Sequence, residues 1–82
     1  MALSCIDCDN KATHVLVDYN HNVIDSNSVF CAEHAFEGGR EQCSCCYDYT
    51  TKVDDDKGRE VNLLPTYPDG ALDNDGMCSE HP

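Results

Sequence analysis

Two short stretches decide the fold: Cys5-Ile6-Asp7-Cys8 and Cys31-Ala32-Glu33-His34. Both are echoed later, in Cys43-Ser44-Cys45-Cys46 and Cys78-Ser79-Glu80-His81. A Cys-x2-Cys turn brings two sulfurs to one point. A Cys-x2-His in the first turn of a helix presents a thiolate and an imidazole on one face. Four such ligands satisfy the tetrahedral shell of a structural zinc ion. The spacing therefore nominates two Cys3His sites, Cys5/Cys8/Cys31/His34 and Cys43/Cys46/Cys78/His81, and two Zn2+ per chain. In the second set Cys43, Cys45 and Cys46 compete for two positions. Cys43 with Cys46 repeats the first spacing and leaves Cys45 spare, with Cys45 remaining the alternative to either.

Working outward, residues 12–18 read as a strand rich in β-branched side chains, residues 19–22 as a turn, and residues 23–30 as an interrupted return strand. Cys31 to Glu37 reads as a short helix stopped by Gly38-Gly39. In the second half, residues 47–53 and 59–64 read as a hairpin around the Asp54–Gly58 turn, and Pro65, Pro68, Gly70 and Gly76 break up the loop that leads to Cys78. Twenty-two residues separate the paired motifs in the first unit and thirty-one in the second, and Glu33 matches Glu80. The halves thus read as a divergent internal repeat, with an N-terminal zinc module over 1–40 and a C-terminal one over 41–82.

The remaining composition explains why metal is needed. Of 82 residues, seven are Cys and none is Trp, and the aliphatic set is thin. A core of this size supplies about 3–5 kcal/mol net, whereas structural zinc contributes on the order of 10–16 kcal/mol of apparent binding energy. An odd number of cysteines fits a disulfide framework poorly, and no basic and apolar leader opens the sequence. Reduced thiols and a cytoplasmic location are the expectation, with no membrane partner. Sixteen acids against five bases give a net charge of −11, and six zinc-bound thiolates would take it to about −13. That balance opposes sequence-independent grip on phosphate backbones and favours a basic protein partner.

Other chemistry-bearing residues have plainer readings. His14 belongs on a strand face and His21 in a solvated turn. The Asp54–Asp56 run departs from a calcium loop because Arg59 stands where Gly is required. The segment 73–76 departs too, because Ala71 falls at the first ligand position.

Residues 5–36, a Cys5/Cys8 knuckle, a hairpin and a Cys31/His34 helix start, resemble a treble-clef zinc finger. The resemblance implies a small metal-stabilised α+β fold: a treble-clef-like module, followed by a second, irregular zinc-bound β-hairpin module that lacks a closing helix. Some treble-clef endonucleases carry a catalytic Asp-His-x-His-type segment on the hairpin. Residues 17–22, Val-Asp-Tyr-Asn-His-Asn, look like a degraded version with Tyr19 in place of the water-activating His. In style the chain also resembles small accessory proteins of bacterial viruses. The expected function is a non-enzymatic zinc-binding protein, monomeric in isolation, whose acidic surface binds a basic protein and modulates a nucleic-acid-handling host enzyme. The alternatives are a His-Me-type endonuclease and a DNA-mimic inhibitor.

Overall fold

The apolar run Val15-Leu16-Val17, after the first knuckle, builds an inner strand. In the computed structural model, which describes residues 3–37, 39–55 and 57–81, this strand is β1, His14–Leu16. Val15 and Val17 are fully buried. The chain turns at residues 18–22, is held by a Val17–Val23 bridge, and returns as β2, Val29–Phe30, antiparallel to β1. The return strand expected over 23–30 is reduced to its last two residues, because Asp25 accepts from the Asn27 and Ser28 amides and folds that stretch into a turn.

Cys31 then caps α1, Ala32–Ala35, a single turn of helix that seats Ala35 beneath the first cysteine cluster. Arg40 closes this end. Its guanidinium lies 3.8 Å from the centre of the Phe30 ring and donates to the His34 carbonyl at 2.8 Å.

In the second half, Cys46–Asp48 forms a 3-10 turn where a strand is expected over 47–53. The Cys46 amide donates to the Cys43 carbonyl and the Tyr49 amide to the Cys46 carbonyl, so the knuckle curls its sulfurs inward before an extended strand can begin. Strand β3 follows at Thr51–Asp54 and pairs antiparallel with β4, Glu60–Thr66.

Pro65, expected to end the return strand, lies buried inside β4 opposite Val15. Leu64 and Thr66 face β1: the Leu64 amide donates to Thr13, and the Thr66 carbonyl accepts from Val17. Pro65 therefore turns its nitrogen to the other side. There the pairing with β3 ends at Leu63, so no ladder donor is missing.

The sheet order is β2-β1-β4-β3, with β1 and β4 parallel. Segments 1–40 and 41–82 thus contribute two strands each to one sheet. A larger core centred on Val15, Val17, Tyr67, Cys46 and Cys78 lies apart from a smaller one around Cys5, Phe30 and Cys31.

One turn recurs three times, at residues 18–22, 55–59 and 73–77. In each the leading Asp accepts at Oδ1 from the amides two and four residues on, at 2.9–3.0 Å. Its carbonyl accepts from the amide three residues on, and its own amide donates to the carbonyl four residues on. The fourth residue takes φ of +67° at His21, +76° at Gly58 and +75° at Gly76.

Candidate metal centres

The first cluster stands at the junction of knuckle, β2 and α1. The donor atoms of Cys5, Cys8, Cys31 and His34 all lie within 4.8 Å of one another. Cys8 and Cys31 sulfurs are 3.7 Å apart, and His34 Nδ1 is 3.5 Å from Cys5 Sγ and 3.3 Å from Cys31 Sγ. The Cys5 sulfur accepts from the Asp7 amide at 3.4 Å, the bond a Cys-x2-Cys turn provides. Burial opposes ionisation of Cys5. Backbone donors at Cys31 and Asp7, with the neighbouring Cys8 and Cys31, outweigh it and pull the thiol down to about 6.

The second cluster has more donors than expected. Cys46, Cys78 and His81 converge as the spacing implied: Cys46 and Cys78 sulfurs are 3.6 Å apart, and His81 Nδ1 lies 3.2 Å from Cys78 and 3.6 Å from Cys46. Cys43 stands beside them with its sulfur 3.5 Å from His81 Nδ1. The group whose donor atoms all lie within 4.8 Å of one another is His21, Cys46, Cys78 and His81. His21, expected in solvent, is half-buried with Nε2 3.3 Å from Cys78 and 3.6 Å from Cys46. The 18–22 turn carries its ring inward. Ser79 fastens that turn to the C-terminal motif, its hydroxyl donating to the Tyr19 carbonyl and the Asn20 side-chain oxygen. Cys45 is exposed and stands outside both clusters.

Electrostatics at this second cluster differ from one sulfur to the next. Burial opposes ionisation of Cys43, but backbone donors at Cys78 and Cys45, with His81 and Cys78 side chains, bring it down to about 6. Burial pushes Cys46 up to about 12, assisted by the nearby Cys78 and Cys43 sulfurs, although the Tyr67 hydroxyl at 3.2 Å works against the rise. Burial also holds the Tyr67 phenol protonated, so it can donate to a Cys46 thiolate. Crowded thiols of this kind ionise together only around a cation, which inverts the local pKa order.

The donor spacings discriminate between linkages. A disulfide places its sulfurs at about 2.05 Å, well inside the 3.6–3.7 Å seen in both clusters. Bond lengths of about 2.3 Å to sulfur and 2.05 Å to nitrogen on a tetrahedral zinc put two sulfurs about 3.8 Å apart and sulfur and nitrogen about 3.5 Å apart. The observed sulfur–nitrogen distances of 3.2–3.6 Å fall around that value. Both clusters therefore fit a four-coordinate metal ion.

His14 does not join either cluster. It is buried with Nδ1 2.9 Å from the Thr13 hydroxyl and its ring edge-on to Phe36. No helix among the described residues is long and apolar enough to cross a membrane. Comparison with protein-family models, with curated proteins and with solved structures gives no match.

Proposed function

We propose that the chain is a non-enzymatic interaction module, shaped by two zinc ions and built on a treble-clef-like first half, whose acidic surface docks on a basic protein. The observation that carries this reading is the disposition of charge. The chain holds a net −11, and Asp55 is the one acidic side chain buried among the described residues. Asp55 is occupied internally: it accepts from the Lys57 and Arg59 amides and pairs with the Arg59 guanidinium at 3.0 Å. The Asp54–Asp56 run is thus split by a residue turned inward, and Asp56 lies outside the described residues. Asp54, Asp69 and Asp75 remain as exposed acids for a basic partner.

Zinc is the ion that best suits donor sets of thiolate and imidazole with tetrahedral spacing. Sets saturated by protein side chains serve structure, since a catalytic zinc keeps a position for water. The endonuclease alternative is weakened by His21, whose Nε2 is directed at the sulfurs of Cys46 and Cys78.

The test is capture of a partner from native lysate by zinc-loaded protein, followed by association kinetics at two ionic strengths. The Debye length falls from about 30 Å at 0.01 M salt to about 8 Å at physiological salt. Association should slow across that range, and slow further when Asp54, Asp69 and Asp75 are replaced by Asn, with zinc content unchanged. Rates indifferent to both changes would sink the reading. DNA cleavage with Mg2+ or Mn2+ that disappears in a His21→Ala variant would replace it with the endonuclease.

A further inference from the structure

The three copies of the Asp-led turn provide an internal control. All three place the fourth residue in the left-handed region, and two of them use Gly there, at positions 58 and 76. An added Cβ at either glycine would meet nothing within 4 Å, so backbone conformation alone favours glycine in this turn. The first copy carries His21 at φ +67° in the same hydrogen-bond frame. A strained conformation held by a bulky side chain points to a role for that side chain. The imidazole of His21 ends among the sulfurs of Cys46 and Cys78, fifty-seven residues away in the latter case.

The second centre therefore has three donors common to both possible sets, Cys46, Cys78 and His81, and two claimants for the fourth place. The Cys43 sulfur stands 3.5 Å from His81 Nδ1, and His21 Nε2 stands 3.3 Å from the Cys78 sulfur. A tetrahedral ion takes four.

We propose that His21 is a ligand of the second metal centre and shares one coordination position with Cys43, so that five side chains serve a four-coordinate ion. The inference rests on the zinc reading given above. The centre then exists as Cys3His with Cys43 bound and as Cys2His2 with His21 bound, and exchange between them needs no other donor to leave. Loss of the Cys43 thiolate by substitution leaves the ion held.

Native mass spectrometry of four proteins tests this: the parent chain, Cys43→Ser, His21→Gly, and the double variant. Gly is chosen at position 21 because the sister turns fold with it, so only the imidazole is removed. The parent and both single variants should carry two zinc ions, and the double variant one. Cys46→Ser, which removes a donor common to both sets, should also drop to one. In the Cys43→Ser protein, the His21 Nε2 nitrogen resonance should move to a metal-bound position when zinc is added. A Cys43→Ser or His21→Gly protein with a single ion, a double variant that keeps two, or an unmoved Nε2 resonance each overturns the sharing. A parent chain that binds fewer than two ions overturns the zinc reading itself, and this inference with it.

Discussion

Tyr67 shows how much one side chain can set at the second centre. It is fully buried, and its hydroxyl stands 3.2 Å from the Cys46 sulfur. A phenol in that position steadies a Cys46 thiolate, whose ionisation burial opposes. Groups that hydrogen-bond to metal ligands typically change metal affinity by about 10–100-fold when removed. Tyr67→Phe keeps the packed ring and deletes only the hydroxyl. It should weaken zinc at the second centre within that range and leave the first centre unchanged, measured by competition with a chromophoric chelator. Equal weakening at both centres would assign Tyr67 to general stability. Cys5, Cys8, Cys31 and His34 were legible in the sequence because each ligand pair is local and the second pair opens a helix. His21 was not, because its partner sulfurs are remote and the ring reaches them only through the fold. A signal was present nonetheless: Asp-x-x-Gly occurs at 55–58 and 73–76, and Asp18-Tyr-Asn-His21 is the same frame with a ligand residue in the glycine place.

At the scale of the elements, the β3–β4 hairpin depends on its turn. Gly58 sits at φ +76° with open space where a Cβ would stand. Gly58→Ala should therefore cost backbone energy and nothing in packing, about 1–2 kcal/mol for a non-glycine residue in the left-handed region. In a domain of this size each kcal/mol lowers Tm by about 4–8 °C, so calorimetry of the zinc-loaded protein resolves it. An unchanged Tm would mean that the turn relaxes to another conformation. The existence of this hairpin was readable from β-branched residues flanking an Asp- and Gly-containing turn. Its limits were not. The start of β3 is set by the 3-10 turn at Cys46–Asp48, a demand of the knuckle that propensity does not express. The end of β4 runs through Pro65 because the neighbouring strand stops two residues earlier, which no local pattern encodes.

The whole molecule has a radius of gyration of 11.9 Å, against about 11.7 Å expected for one compact body of this length. The internal repeat divides the chain into zinc modules over 1–40 and 41–82, and the β1–β4 pairing runs a single sheet through both segments, with His14 opposite Leu64 and Leu16 opposite Thr66. That long-range parallel register is invisible in a sequence whose strands are two to seven residues long. Removing metal should therefore unsettle both halves together. On titration with a strong chelator, amide dispersion of residues 5–36 and of 41–81 should be lost in one transition. With five cysteine donors among their buried residues, the two cores hold too little apolar surface to persist without the ions, whose contribution of about 10–16 kcal/mol each exceeds the net core several-fold. Separate transitions would show that each half folds on its own ion.

The shared sheet also imposes an order of events during synthesis. The four donors of the first centre are complete once His34 has emerged, and the second waits for Cys78 and His81. At translation rates of about 5–20 residues per second, the interval between them is roughly 2–9 s. Through it the nascent chain displays β1 with its β4 edge unpaired and His21 without its sulfurs. An ion at the first centre would anchor the knuckle beside β2 and α1 until β4 arrives, and an ion at the second would then latch the 18–22 turn to Cys78 and His81.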